Sequence, residues 1–372
     1  MEDAILVLDM LKIISTNSFI FSLLLGFSVQ AATLQEAVNL GNRQVTGVAV
    51  SKEGRLFVCF PRWDEFKDLS VAEVLPDGQL QAFPLGWDQM GTSGSLEKKM
   101  PEEGRLVCIQ SVFVDDKNDL WILDSGAPNM GPLVSQPRLL QVDLRTNRVK
   151  KVFGFDAGAA PAGSYLNDVR IDTVRKFAYL TDSGLGALVV ANLNTGTAYR
   201  VLTTHLSTKA EPDFILKVFG RALVGPDNQP PRIHSDGLEL SGDRNFLYYH
   251  ALTGNTLYRI ETAVLRDEKM SDEKRAEVIQ KVAKTPPTDG LAIDAKGSIY
   301  LTGLEDGSIR RITPEGPEEM VVTDERLSWP DSIAISPTGA IYVSASQIQN
   351  SARFNKGTSV RTKPYIVYKV VP

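Results

Sequence analysis

Two cysteines and three histidines in 372 residues leave little material for metal or redox chemistry. There is no C-x-x-C pair and no H-E-x-x-H, so the spacings that build zinc sites are missing. Cys59 and Cys108 each fall in a strand-like apolar run, LFVCF and RLVCIQ, where a disulfide and two buried thiols are both open readings. Blocks of one charge are missing as well. The net charge is −5 and no basic stripe is present to neutralise phosphates, which excludes nucleic acid as a partner. No nucleophile elbow, Ser-His-Asp order or phosphate-cradling loop occurs, and Gly184 and Gly186 alone make no dinucleotide signal. N-x-S/T sequons are absent too.

Long apolar runs are confined to the N-terminus. From Met10 the chain reads MLKIISTNSFIFSLLLGFSVQAATL, with Lys12 ahead of an apolar core and V-Q-A before Ala32. That layout predicts a secretory signal peptide over residues 1–31, too short for a comfortable membrane span. Glu2, Asp3 and Asp9 suit an n-region badly, so the expected start of translation is Met10. The mature chain, 32–372, is then expected to be secreted or periplasmic, with no membrane partner once the leader is removed.

What the chain has in quantity is one repeated phrase. TGVAVSKEGRLFVCF, QSVFVDDKNDLWILD, NDVRIDTVRKFAYLTD, DGLELSGDRNFLYYH, DGLAIDAKGSIYLTG and DSIAISPTGAIYVSA share a polar anchor, an alternating run, a turn and a second run. From residue 289 four short alternating runs follow one another across AKG, LEDG and PEG, which predicts antiparallel strands joined by hairpins. Six such units predict an all-β, six-bladed β-propeller with four-stranded antiparallel blades. Blade six is short of an outer strand after Pro372, and LQEAV near residue 34 is expected to fill that place, closing the ring by pairing the two chain ends. Residues 207–233 form a long crossing between blades three and four, and SDEKRAEVIQKVAK over 271–284 reads as a solvated helix capped by Ser271.

In a propeller the residue before each innermost strand sits at the mouth of the central channel. Thr46, Gln110, Asn167, Asp236, Asp289 and Asp331 are therefore expected to form a ring of side-chain oxygens. Turn chemistry explains one such Asp; three together call for solvent, protonation or a cation, and Ca²⁺ held by Asn167, Asp236, Asp289 and Asp331 is one expectation. His234, two residues before Asp236, is the candidate general base. Arg62, Trp63, Gln110, Asp124, Asp182 and Trp329 are candidate ligand contacts, although the repeated D-S-G at Asp124 and Asp182 also reads as turn chemistry. The acids and aromatics together suit a small amine.

LFVCFPRWDE, LWILDSG, LNDVRID, YLTDSGLGALVVANLNTG, HSDGLELSGDRNFLYYHALTGNTLYRI, TDGLAIDAKGSIYLT and WPDSIAIS resemble, in order, motifs of the Yellow/major royal jelly protein family. The resemblance spans about residues 45–350, and the lack of sequons with the compact leader suggests a bacterial-type member. It implies a six-bladed propeller of the wider gluconolactonase-like superfamily and a secreted protein. It implies a tautomerase activity of the dopachrome-conversion kind, binding of small amines, or a nutritive or structural role. The wider superfamily implies the alternative, a Ca²⁺-dependent hydrolase of lactones or esters. Asn167 and Asp236 match the kind of position its metal ligands occupy, but the blade-one anchor is Thr46 where a Glu ligand is expected. Partners are thus expected to be small molecules: an amine, a catechol-like compound or a lactone.

Overall fold

The computed structural model describes residues 32–63, 68–87, 89 and 104–371. The leader expected at 1–31 lies outside them. Six four-stranded antiparallel sheets follow one another along the chain and form the six blades of a propeller. Their innermost strands are Val48–Val50, Ile109–Val114, Leu166–Asp172, Ser235–Leu240, Leu291–Ile293 and Pro330–Ile335. Blade six takes its outermost strand from the N-terminus: Thr33–Asn39 pairs antiparallel with Ile366–Val371, with Thr33 opposite Val371 and Asn39 opposite Ile366. No helix among the described residues is long and apolar enough to cross a membrane.

Local chemistry repeats with the blades. Each inner strand ends in a small polar residue whose side chain accepts backbone N–H groups of the turn that follows. Ser51 accepts Glu53 and Arg55, Asp115 accepts Lys117 and Asp119, and Asp172 accepts Val174 and Arg175. Ser241, Asp294 and Ser336 do the same for the last three blades. Such side chains mimic the backbone of a turn and fix where each hairpin reverses.

The opposite end of the inner strand is irregular. The pairing register to the second strand shifts between Ile109 and Ser111, Leu166 and Val169, Ser235 and Leu238, and Pro330 and Ile333. These bulges sit on the anchor phrases and re-aim their side chains, as bulges next to sites commonly do. Close approach between neighbouring blades adds a second constraint. A Cβ on Gly237 would lie 2.1 Å from the Asp289 carbonyl oxygen, and one on Gly290 2.2 Å from that of Asp331. The D-G of blades four and five is therefore demanded by packing.

Between the blades apolar side chains interlock, one cluster to each interface. Trp121, Leu123 and Phe153 of blade two meet Leu166, Leu180 and Val189 of blade three. Val58 and Phe60 of blade one meet Tyr365 and Val367 of blade six across the closing joint. A set of equivalent second-strand residues, Cys59, Thr181, His250, Thr302 and Ser344, is fully buried. Thr181 Oγ1 donates to the Asp236 carbonyl of the next blade, Ser344 Oγ to that of Thr46, and Cys59 Sγ to that of Gln110. Cys59 thus occupies a hydroxyl position and Cys108 is likewise buried; both are free thiols, which decides between the two readings of the cysteines.

The segment 271–284 departs from the expected helix. Only Asp272–Glu277 is helical, with Ser271 at its N-cap, and Gln280–Lys284 is the outer strand of blade four, paired with Thr256–Glu261. Without that strand blade four would expose the edge of its third strand, so sheet completion overrides the helical composition. The long crossing 207–233 carries a two-stranded hairpin, Lys217–Val218 with Arg221–Ala222. Its Leu216, Val218 and Leu223 pack with Leu252, Leu304, Trp329 and Phe354 in a separate apolar cluster.

Candidate functional site

Five of the six anchors converge. Gln110, Asn167, Asp236, Asp289 and Asp331 surround a constriction of ≈ 10 Å³ at the mouth of the channel, together with Asp168. Thr46 does not join them: it is fully buried and its hydroxyl donates to the Gln110 carbonyl. Above the constriction opens a cavity of ≈ 740 Å³ whose floor is made by the same five anchors. Its walls are Met130, Tyr165, Ile233, Leu252, Trp329 and Phe354, which come from loops and strand ends of blades two, three, four and six. Below the constriction the channel is lined by Arg170 and Glu239. The Arg170 guanidinium donates to Glu239 Oε2 at 2.8 Å, to Asp168 Oδ1 at 3.1 Å and to the Leu291 carbonyl at 2.9 Å, tying blades three, four and five together across the axis.

One side of the floor is neutral and pinned. Trp63 Nε1 donates to the Tyr165 hydroxyl at 3.1 Å, Tyr165 donates to Gln110 Oε1 at 2.7 Å, and Gln110 Nε2 donates to Asn167 Oδ1 at 2.9 Å. Asn167 Nδ2 closes the chain on Ser183 Oγ at 3.2 Å. Five side chains from three blades are thereby fixed in orientation.

The other side is acidic. Asp236, Asp289 and Asp331 are 2%, 8% and 5% exposed. Burial, reinforced by Asp289 and then Asp331, pushes the Asp236 carboxyl well above the usual carboxylate range. Burial and the charge of Asp289 do the same for Asp331. Burial also raises Asp289, but only to about 6, because the Trp329 indole and the Asp236 carboxyl stabilise its charged form by hydrogen bonding. Trp329 Nε1 lies 2.7 Å from Asp289 Oδ2. Three like charges are not held in so small a space; near neutrality the floor keeps its charge chiefly on Asp289. Asp236 Oδ2 is buried and meets no hydrogen-bond partner.

The remaining candidates stand off the cavity. Asp124 accepts the Val107, Cys108 and Gly126 N–H groups and pairs with Arg138. Asp182 accepts Tyr165, Gly184 and Leu185 N–H and pairs with Arg200 at 2.6 Å. The D-S-G pair is thus turn chemistry: these carboxylates hold the loop ahead of each inner strand. His234 Nδ1 accepts the Ala210 N–H at 2.9 Å, and burial with Lys209 and Arg232 nearby pushes its pKa down. It pins the long crossing, with its accepting nitrogen already used. Arg62 lies beside the loop that carries Asn129, whose N–H its carbonyl accepts, and does not line the cavity, whereas Trp63 does. Tyr165, Met130, Ile233, Leu252 and Phe354 belong to the wall without having been singled out in the sequence; only Tyr165, beside the anchor phrase LNDVRID, carried a positional signal.

A calcium cage needs six to eight oxygens at about 2.3–2.6 Å. Here Asn167 Oδ1 and Asp289 Oδ2 already accept hydrogen bonds. Among the described residues no three His, Cys, Asp or Glu side chains are grouped to hold a metal ion. The donor set as placed does not fit calcium.

The sequence profile of the major royal jelly protein family matches residues 107–364. The chain belongs to this family. Its curated relatives include major royal jelly protein 6 of Apis mellifera, 23% identical over 254 residues, which cover 64% of this chain and 56% of the relative. Protein yellow of Drosophila guanche is 21% identical over 308 residues, 76% of this chain and 48% of the relative. The chain thus spans about half the length of the curated relatives it matches. Among solved structures, a gluconolactonase from Xanthomonas campestris superposes with a TM-score of 0.55 at 12% identity, covering 91% of this chain and 89% of its own. A streptogramin B lyase does so with 0.52 at 15% identity, covering 92% and 98%. At those identities the likeness is one of fold: this royal jelly family member shares the propeller fold of both.

Proposed function

We propose that this chain is an exported propeller that captures a small aromatic molecule in the cavity above the channel. The observation that carries the reading is one concave space of ≈ 740 Å³ with an apolar, partly aromatic wall over a polar floor. That size and that division of chemistry are those of a drug-sized ligand site. Tyr165 and Phe354 offer ring surfaces, and Gln110, Asn167 and Asp289 offer oriented donors and acceptors for hydroxyl or carbonyl groups. Export rests on the N-terminal leader pattern. The test is calorimetric titration with catechols, aromatic amines and aromatic lactones, alongside quenching of tryptophan fluorescence. Saturable binding that Ile233→Trp abolishes by filling the cavity is the expected result. Binding undiminished in a folded Ile233→Trp protein would place the ligand elsewhere.

Tautomerisation is the second reading, and the unequal proton affinities of the floor favour it. Asp289, ionised near neutrality, would take a proton from a ring carbon beside a carbonyl while the C–H bond electrons shift toward the oxygen. A neutral Asp331 or Asp236 would donate its proton to that oxygen. The carboxyls then hold the same number of protons as before and re-equilibrate among themselves. Such a site exchanges solvent deuterium into the ligand carbon, which NMR reads directly. Binding without exchange would leave capture as the whole function.

A further inference from the structure

Three acids on the floor suggest a preference for amines; the charges around the whole cavity argue the reverse. The charged side chains lining it are Asp236, Asp289 and Asp331 below and Arg232, Arg353 and Arg361 at the rim. Many arginines elsewhere in the blades meet carboxylates, among them Arg55 with Glu73, Arg138 with Asp124, Arg170 with Asp168 and Glu239, Arg200 with Asp182, and Arg310 with Asp306 and Glu318. Arg232 and Arg353 at the rim form no such pair with a described carboxylate. Both terminal nitrogens of Arg232 donate to neutral backbone carbonyls, those of Glu211 and Ala210, each at 2.8 Å. Arg353 lies 5.7 Å from the centre of the Phe354 ring and forms no ion pair with a described carboxylate. The carboxyls below are poor counter-charges for them, because burial and mutual repulsion raise Asp236 and Asp331 well above the usual carboxylate range and disfavour their charged forms. A neutral carboxyl is moreover a hydrogen-bond donor, suited to a ligand oxygen and ill suited to an ammonium group.

We propose that the ligand class of this cavity is the planar aromatic acid, its ring against Tyr165 and Phe354 and its anionic group held at the rim by Arg232 and Arg353. The proposal rests on the small-molecule reading above and narrows it. Arg232 and Arg353 supply what anion recognition needs: a fork of N–H donors and a charge that no described carboxylate pairs. Their position above a low-dielectric wall also draws anions toward the opening.

Three probes with one ring separate the possibilities: dihydrocaffeate, its methyl ester and dopamine, titrated calorimetrically against the full-length protein at neutral pH and low salt. The acid is expected to bind ~10-fold more tightly than the ester. Dopamine is expected to bind no better than the ester. In Arg353→Gln, and further in the double variant with Arg232→Gln, the advantage of acid over ester should shrink to about twofold while ester binding holds. Both arginines are exposed, so the single variant tests the point even if the double one misfolds. Dopamine binding more tightly than dihydrocaffeate would overturn the acid preference and leave the small-molecule reading standing. An acid preference unchanged in Arg353→Gln and in its folded double variant would overturn the role of the rim. Failure of all three probes to bind the folded protein would sink the underlying reading, and this inference with it.

Discussion

The Trp329 indole donates to Asp289 Oδ2 at 2.7 Å from a fully buried residue whose backbone sits at φ +58°. Left-handed backbone is uncommon for a bulky side chain and is held only where the surroundings over-determine it. Here it carries the ring to the one floor carboxyl that keeps its charge. Trp329→Phe retains most of the packing and removes the donor. The loss of a hydrogen bond to a charged group should cost about 1.5–3 kcal/mol of stability by urea denaturation. Asp289 should then titrate above its present value of about 6. An unchanged carboxyl titration, followed by difference infrared spectroscopy, would show that the indole does not set the charge.

The acidic floor also gives stability a pH dependence of definite sign. Carboxyls raised in the folded state contribute stability that is full below their unfolded values and is lost as pH rises through the folded ones. For Asp289 that window runs from the ordinary aspartate value near 4 to about 6; for Asp236 and Asp331 it extends upward. Asp331→Asn should therefore stabilise the protein by on the order of 1–3 kcal/mol at about pH 8 and by little at about pH 4. A gain of equal size at both pH values in urea denaturation would mean that the charge of Asp331 plays no part.

Neighbouring inner strands approach so closely that one methyl group is too many. Gly237→Ala places Cβ 2.1 Å from a backbone oxygen, and overpacking of this kind costs at least about 1–3 kcal/mol. Gly54→Ala, where the added methyl meets open space at φ +80°, should cost only about 1 kcal/mol. Comparable losses at the two positions, read from thermal unfolding, would contradict the close approach.

The two thiols should be silent in the native protein. Burial pushes Cys59 up to about 12 and Cys108 up to about 11, so neither presents a thiolate at neutral pH. Mass spectrometry after iodoacetamide should find both unmodified without denaturant and both modified with it. Addition of dithiothreitol should leave the melting temperature unchanged; a drop on reduction would reveal a bridge.

Calcium gives a further check. EDTA followed by millimolar Ca²⁺ should leave the melting temperature within about one degree, since a native-state ligand at a hundredfold excess over Kd would add about 2.7 kcal/mol. A clear rise that disappears in Asp236→Asn would mean that the floor rearranges into a cage on binding.

Much of this was legible in the sequence because a propeller repeats its local chemistry. The anchors and the Ser or Asp ending each inner strand follow the blades, so the ring of Gln110, Asn167, Asp236, Asp289 and Asp331 could be read from spacing. The closing strand around LQEAV was readable from the missing edge of blade six. What escaped has no repeat behind it. Phe354, Ile233 and Met130 reach the cavity from loops of unrelated length. His234 and the D-S-G acids lie close to anchors in sequence, but local hydrogen bonds turn them elsewhere. The strand Gln280–Lys284 has helical composition and yields to the unpaired edge beside it. Protonation of the floor is a property of distance and burial, which no string of letters displays.

Because Thr33 lies opposite Val371 in the closing strand pair, the joint between the first and last strands is a matter of chain connectivity alone. Linking those ends and reopening the backbone in another inter-blade loop would move the seam to a different blade and leave the axial cavity where it is. Such circular permutants would separate two properties that the natural chain ties together: where the ring is sealed, and where it recognises its ligand.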